Sequence, residues 1–316
     1  MMQITLRQLR YFDALGRHAH FGRAAEACAI SQPALSMQIK ELEDALGAPL
    51  TEKGARHVRL TKFGEAVAQR VRDILRAVDD LEDCARLSRD RFVGPLRIGI
   101  IPTIAPYLLP QFIGNLTRLH PELDIHIRET VTAKLIRDLV DGRLDTAIVA
   151  LPVSEPSLAE IALFAENFLL VRPGVDDGTP VPSPEMLREM RLLLLEEGHC
   201  FRDQALSFCK MHSPLPRQVM DASSLSTLVQ MVSAGIGVTL IPEMAVSIET
   251  CSASVSVARF ADPQPSRTIG MIWRKASPLA KRLSEISEVV RLSAEALREG
   301  RRLGPGNDCG VPAREK

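Results

Sequence analysis

Two cysteines that could carry out redox chemistry, Cys200 and Cys209, lie nine residues apart in the stretch GHCFRDQALSFC. A thiolate reacts with peroxide to give a sulfenic acid, and a second thiol can convert that product into a disulfide. The run RLLLLEE before Cys200 predicts a buried strand, and the run after it predicts a helix. Cys200 would then lie at a helix N-terminus, where peptide N–H groups favour a thiolate, with His199 and Arg202 as sequence neighbours.

A helix over this stretch would keep the two thiols apart. Nine residues of helix span about 13.5 Å and place the two positions on opposite sides, whereas a disulfide needs Cα atoms within about 7 Å. We expect Cys209 to be sheltered on an apolar helical face with Ala205 and Leu206. A bond between the thiols would require the helix to unwind locally. Such a change between two local structures is what a conformational switch needs. The spacing alone favours the simpler interpretation of two unrelated core cysteines.

Net charge, apolar runs and cysteine spacing limit the DNA, membrane and metal binding that the chain can be expected to show. The chain has 316 residues and a formal net charge of +0, so any DNA binding must come from a local surface. No apolar run has the length of a signal peptide or a membrane span, which predicts a cytoplasmic protein without membrane contact. The six cysteines show no zinc-ligand spacing, so we expect no metal and no cofactor.

The hydrophobic pattern divides the chain into four parts. Residues 1–60 predict a helical head with a small β wing, and residues 61–90 predict one long helix. Residues 91–299 alternate strands with helices, which predicts parallel sheets in two α/β subdomains with a cleft between them. Residues 300–316 are rich in Gly, Pro and charge and predict a disordered tail. The long helix carries a heptad seam that predicts a dimer contact: Val67, Val71, Ile74, Val78, Leu81 and Ala85.

The sequence pattern of the head is typical of a helix–turn–helix. Ser31 can cap the third helix, and Pro33 lies in its first turn, where a missing N–H costs nothing. A buried stripe is predicted at Leu35, Ile39, Leu42 and Leu46. Polar side chains suited to base edges and phosphates remain outside: Gln32, Ser36, Gln38 and Lys40. Residues 1–60 hold eight Lys/Arg against six Asp/Glu, which does not by itself distinguish this head from a plain three-helix bundle.

The run AAEACAISQPALSMQIKELEDALG resembles the signature of LysR-type transcriptional regulators. That resemblance implies an N-terminal winged helix–turn–helix, a long linker helix and a periplasmic-binding-protein-like regulatory domain of two α/β subdomains. It also implies double-stranded promoter DNA and RNA polymerase as partners, and homodimers paired into homotetramers. The wing departs from the family pattern, with Thr51 and Lys53 after Pro-Leu. Arg56 and Arg59 are therefore the candidates for its phosphate contacts.

The segments LLLLEEGHCFRDQALSFC, GIIPTIAPYLLPQ and RTIGMIWR are similar to those of peroxide-sensing members of the same family. The resemblance implies that Cys200 reacts with hydrogen peroxide, that Cys209 resolves the product as a disulfide, and that oxidative-stress genes are controlled. It also implies a set of residues that shape the peroxide pocket or its activation: Thr103, Thr132, His199, Asp203 and Arg267. The residues alone leave simpler roles open, namely helix capping for both threonines and Asp203, and plain surface positions for His199 and Arg267.

Two other functions compete with this hypothesis. A LysR-type regulator could instead bind a small organic anion in the cleft, at the helix N-termini after the first two strands. A thiol peroxidase would share the chemistry of Cys200, but it would leave the DNA-binding head without a purpose. No Ser/His/Asp arrangement and no phosphate-binding glycine loop suggests any other enzyme.

Overall fold

The computed structural model describes residues 4–52, 58–87, 93–187, 189–209 and 219–302. The chain forms two compact units, residues 1–88 and 89–316. The long helix therefore groups with the head. The four helices of the first unit are α1 Leu6–His18, α2 Phe21–Ala27, α3 Gln32–Leu46 and α4 Lys62–Leu87.

Local signals explain where the head helices begin and end. Thr5 and Gln8 form a reciprocal capping box at the start of α1. The Ser31 side chain accepts from the N–H of Ala34 and caps α3, as predicted, and Gly47 ends that helix with a φ of 73°. The wing is present as an antiparallel bridge between Thr51 and Leu60.

The core of the first unit confirms the buried stripe predicted for α3 and corrects the dimer seam predicted for α4. Leu35, Ile39 and Leu42 of α3 are buried, and Leu46 packs against the same cluster. The heptad positions Val67 and Val71 of α4 also pack into this cluster, so the first part of the seam is a core face of the head. Farther along α4, Ile74 is 46% exposed and Leu81 is 70% exposed.

The second unit alternates strands and helices over most of its length. Its strands are β1 Gly94–Ile100, β2 Leu123–Glu129, β3 Thr146–Leu151, β4 Leu158–Pro173, β5 Leu192–Leu195, β6 Val219–Ala222, β7 Val238–Pro242, β8 Val255–Ala258 and β9 Ser266–Arg274. Its helices are α5 Ala105–Leu119, α6 Thr132–Val140, α7 Pro184–Leu187, α8 Cys200–Phe208, α9 Leu225–Ser233, α10 Val246–Glu249 and α11 Ala280–Arg302, with short 3₁₀ turns at Gly174–Asp176 and Glu243–Ala245.

The strands follow the order β2-β1-β3-β9-β4-β7-β5-β6, with β8 paired to β4. We call lobe I the part built on β2, β1, β3, β9 and the first part of β4, and lobe II the part built on the end of β4 with β7, β5, β6 and β8. The chain returns to lobe I through β9, which confirms the predicted two α/β subdomains. The prediction of purely parallel sheets is wrong, because β9 pairs antiparallel with both β3 and β4, and β4 pairs antiparallel with β7 and β8.

Strand β4 and helix α11 differ most from the sequence prediction. The sequence predicted a strand only over 167–173, whereas β4 begins at Leu158 and runs through both lobes. Helix α11 continues to Arg302, beyond the predicted start of a disordered tail at residue 300. The rest of that predicted tail, residues 303–316, lies outside the described residues. Among the described helices, none is long and apolar enough to cross a membrane.

The start of the wing depends on one carboxylate of α3. Glu43 Oε1 accepts from the N–H groups of Leu50 and Thr51, at 2.7 and 3.1 Å, and from the Thr51 hydroxyl at 3.2 Å. We expect Glu43→Ala to lower the opening free energy of the Leu50 and Thr51 amides by about 1–3 kcal/mol, because these donors lose their acceptor. Native-state hydrogen exchange of the full-length chain measures this change.

The control for Glu43→Ala is Glu26→Ala, which removes an exposed carboxylate from α2. We expect the control to change the same opening free energy by less than about 0.5 kcal/mol. Equal effects of the two substitutions would contradict the anchoring role of Glu43.

Candidate functional site

The chain places Cys200 at the floor of a narrow cleft between the two lobes. Strand β5 ends at Leu195, and Gly198, with a φ of 95°, turns the chain into α8. His199 is the N-cap of α8, and Cys200 is its first residue. The cleft has an empty volume of about 170 Å³ and is lined by Ile101, Pro102, Thr103, Val131, Thr132, His199, Cys200 and Phe201. Lobe I supplies the first five of these residues, and lobe II supplies the last three.

The two predicted threonines approach the cleft from different elements. Thr103 lies in the loop after β1, and Thr132 is the first residue of α6. Neither caps a helix, because the N-caps of α5 and α6 are Ile104 and Val131. Thr132 Oγ1 is buried and has no hydrogen-bond partner among the described residues. A buried hydroxyl without a partner is unfavourable, so this atom is ready to bind a small polar molecule in the cleft.

Arg267 is buried beside the cleft and is fully engaged. Its Nη1 donates to Thr103 Oγ1 at 2.8 Å, and its Nη2 donates to the Thr103 carbonyl at 3.1 Å. Its Nε donates to Glu166 Oε2 at 2.8 Å in an ion pair whose side chains are 0% and 3% exposed. The guanidinium also lies 5.5 Å from the centre of the Phe201 ring. Arg267 is therefore not the surface charge that the sequence left open.

Helix α8 holds the two cysteines at its opposite ends. Cys200 is half-buried at the start, whereas Cys209 is fully buried at the C-cap, where its N–H donates to the Ala205 carbonyl. Both are reduced thiols, and the prediction that Cys209 is sheltered is confirmed. The helix is fixed to lobe II by Arg202, which donates to the Leu195 carbonyl at 2.7 Å and pairs with Asp221.

The remaining pocket predictions have different outcomes. His199 lines the cleft, and burial lowers the pKa of its ring while Glu196 opposes this effect. A neutral His199 therefore stands next to Cys200 at neutral pH. Asp203 lies exposed in the first turn of α8, outside the residues that line the cleft, and it does not cap the helix.

The predicted DNA-reading face lies mostly on the surface of the head. Gln32, Pro33, Ser36 and Lys40 of α3 are exposed, together with the capping Ser31 and with Arg59 of the wing. Gln38 is half-buried, and its amide donates to Glu41 at 2.8 Å, which fixes it on the helix surface. Arg56 lies outside the described residues.

Several residues of the site were not predicted from the sequence. Ile101, Pro102, Val131 and Phe201 line the cleft, and Glu166 neutralises Arg267. The four apolar residues look like ordinary core positions in the sequence. The one available signal was an acidic side chain inside an otherwise apolar strand, FAENFLLV, since a buried carboxylate requires a partner.

Comparison with known proteins identifies the family. The family model described as a bacterial regulatory helix-turn-helix protein of the lysR family matches residues 6–65, and the LysR substrate binding domain matches residues 89–294. The chain therefore belongs to the LysR family of bacterial regulators.

Within that family, the chain is similar to OxyR proteins. It is 42% identical to a probable hydrogen peroxide-inducible genes activator from Streptomyces viridosporus over 94% of this chain and 96% of that one. It is 40% identical to the DNA-binding transcriptional dual regulator OxyR of Escherichia coli, with 91% and 95% covered. A full-length OxyR variant from Pseudomonas aeruginosa has a TM-score of 0.74 at 36% identity, with 92% and 95% covered. An H₂O₂-bound OxyR mutant from Corynebacterium glutamicum has a TM-score of 0.64 at 33% identity, with 95% and 97% covered.

The lowered pKa of His199 gives the stability of the second unit a predictable pH dependence. The unfolded ring binds a proton near pH 6.5, whereas the folded ring does so only at lower pH. Stability from the neutral ring is therefore present above about pH 6.5 and is lost as the pH falls through the window below that value. We expect His199→Gln to flatten this loss, measured as the urea midpoint at several pH values. Parallel curves for the two proteins would contradict burial of a neutral ring.

Proposed function

We propose that this protein is a DNA-binding transcription regulator activated by hydrogen peroxide through oxidation of Cys200 and disulfide formation with Cys209. The observation that carries the proposal is the narrow cleft in which the Cys200 side chain meets Thr103 and the unpartnered hydroxyl of Thr132. The relatives that are named as hydrogen peroxide-inducible genes activators support the same conclusion.

The first chemical step is the oxidation of Cys200. Its thiolate attacks one oxygen of hydrogen peroxide, so that an S–O bond forms as the O–O bond breaks. The departing hydroxide takes a proton and becomes water, which leaves a sulfenic acid on Cys200. Thr103 and Thr132 provide the hydroxyls that position the peroxide, and the neutral ring of His199 closes the cleft beside the sulfur. No metal or organic cofactor is required by this step.

The second step forms the disulfide and reshapes α8. The Cys209 thiol attacks the sulfenic sulfur, an S–S bond forms, and a second water leaves. Because the two cysteines lie at the two ends of a helix, α8 must unwind before their sulfurs can meet. Unwinding releases Phe201 and Arg202 from their packing, which gives the oxidised protein a different surface on lobe II.

DNA binding and assembly complete the proposed function. The exposed polar face of α3 enters the major groove of double-stranded promoter DNA, and Arg59 with Arg56 of the wing contacts the backbone. The exposed apolar residues Ile74 and Leu81 of α4 support a homodimer through the linker helix, with dimers pairing into homotetramers. Oxidation changes how the regulatory domains pack and how the protein contacts RNA polymerase at oxidative-stress genes in the cytoplasm. Asp203, exposed on α8, and Arg267, buried beside Thr103, contribute to this activation.

The size of the cleft argues against a small organic effector. The 170 Å³ of empty space includes open solvent, and the space that a water-sized molecule can occupy is about 0 Å³, whereas typical ligand pockets begin at about 300 Å³. A peroxide molecule, with two oxygen atoms, would need less displacement of the lining side chains to enter than an organic effector would. The DNA-binding family to which the chain belongs also favours a regulator over a thiol peroxidase, since consumption of peroxide requires no head of this kind.

The redox proposal is tested by mapping thiols after a small dose of peroxide. We expect rapid oxidation of Cys200 and a Cys200–Cys209 bond in the wild type, because the cleft binds peroxide beside the Cys200 sulfur. Cys209→Ser should accumulate the Cys200 sulfenic acid, and Cys200→Ser should lose the response to peroxide in a promoter-transcription assay. Mass spectrometry with a sulfenic-acid probe measures the first two results.

The matched control for the redox test is Cys84→Ser, which removes an exposed thiol of α4. We expect this variant to oxidise and to activate transcription as the wild type does. An unmodified Cys200 thiol in protein that peroxide has already activated would refute the proposal.

The DNA-binding proposal is tested on α3. Lys40→Ala should weaken promoter binding on every sequence and reduce the salt slope by about one per bound subunit, because a phosphate contact is lost. Gln32→Ala should cost about 1–3 kcal/mol at one base pair of the operator. Fluorescence anisotropy at several salt concentrations measures both effects. Lys281→Ala, exposed on α11, is the control, and an equal loss in that variant would argue against α3 as the reading helix.

A further inference from the structure

We propose that Glu166 is a positioning residue of the peroxide cleft: its buried carboxylate fixes Arg267, and Arg267 orients the Thr103 hydroxyl beside Cys200. Glu166 does not line the cleft and touches no reacting atom. The inference rests on the proposed function, since it assigns a role in the reaction of Cys200 with peroxide.

The pairing of β4 with β9 brings Glu166 and Arg267 together. The two residues are direct partners in the antiparallel register, so their side chains leave the sheet side by side. Oε2 of Glu166 accepts from Nε of Arg267 at 2.8 Å and lies 2.8 Å from Nη2 in the ion pair. With side chains 3% and 0% exposed, the pair is screened from water, so its geometry is held tightly.

The fixed guanidinium determines which way the Thr103 hydroxyl donates. An arginine has only donors, so Thr103 Oγ1 must accept the bond from Nη1 at 2.8 Å. The carbonyl of Thr103 accepts a second bond from Nη2, which holds the loop after β1 at two points. The hydroxyl hydrogen of Thr103 therefore remains available to a peroxide oxygen in the cleft.

Glu166 is held in turn from lobe II. Its second oxygen, Oε1, accepts from the N–H of Met244 at 3.0 Å, in the 3₁₀ turn that follows β7. Contacts therefore run from Met244 through Glu166 and Arg267 to Thr103. Removing the carboxylate would leave a buried guanidinium without its counter-charge and a buried N–H without its acceptor.

Loss of Glu166 should slow the reaction of Cys200 with peroxide without slowing its reactions with other reagents. When the sulfur of Cys200 attacks one peroxide oxygen and the O–O bond breaks, the hydrogen bond from Thr103 fixes the peroxide along the line of attack. Loss of Glu166 releases Arg267 and Thr103, so the peroxide is no longer held in this orientation. Alkylation of Cys200 by iodoacetamide needs no such bond, so it reports on the access to the sulfur alone.

The test is the variant Glu166→Gln in the Cys209→Ser background, in which the sulfenic acid of Cys200 accumulates. We expect its second-order rate with hydrogen peroxide to fall by about 10- to 100-fold, as for misplaced reactants. We expect the iodoacetamide rate at Cys200, read by mass mapping, not to fall. The control Glu160→Gln removes an exposed carboxylate of β4 and should leave both rates unchanged. Glu166→Asp, which keeps the charge but withdraws it by one methylene, should slow the peroxide reaction in the same direction.

A double-mutant cycle with Thr103→Val decides whether Glu166 acts through Thr103. We expect Glu166→Gln to have little further effect once the Thr103 hydroxyl is gone. Independent, multiplying effects, or a wild-type peroxide rate in both Glu166 variants, would overturn the role of Glu166 alone. A wild-type Cys200 that reacts with peroxide no faster than the exposed Cys84 would instead overturn the proposed function and this role with it.

Discussion

One constraint governs the proposed redox switch, namely the helical backbone of α8 between Cys200 and Cys209. While the helix is intact, the two cysteines lie at opposite ends of it, with a backbone rise of about 13.5 Å between them, and no rotamer change can join their sulfurs. Closing the bond therefore requires the hydrogen bonds of α8 to break. This coupling converts a local oxidation into a conformational change, because the disulfide is compatible only with a different path of the chain.

In the proposed function, the cleft gives the half-buried Cys200 at the start of α8 its chemical selectivity. Elements of both lobes meet there, and apolar side chains leave only a small volume around the sulfur. The buried charges beside the cleft compensate each other, because Glu166 neutralises Arg267. Arg267 also donates a hydrogen bond to Thr103. The same network ties Arg267 and Thr103 to lobe II through the N–H of Met244, which donates to Glu166.

The sequence predicted the elements better than their pairing. Helical periodicity predicted α3 and α8, and Ser31 predicted the start of α3, whereas the residues of the cleft were predicted from the resemblance to peroxide-sensing regulators. Strand direction could not be read from the alternating pattern, which is why the antiparallel pairing of β9 was not predicted. The heptad seam of α4 was read as one surface, although Val71 packs into the head while Leu81 is exposed, because periodicity does not identify the partner. The role of Glu166 was not predicted for a similar reason, because it depends on a cross-strand neighbour, Arg267, that lies 101 positions away in the sequence.

Hydrogen exchange of the amides between Cys200 and Cys209, measured before and after a stoichiometric dose of peroxide, tests the central claim most directly. The account predicts protected helical amides in the reduced protein, including the Cys209 N–H bonded to Ala205, and a loss of that protection as the disulfide forms. The Cys209→Ser protein should keep its protection after the same treatment. A disulfide that forms while the amides of α8 stay fully protected would contradict the account.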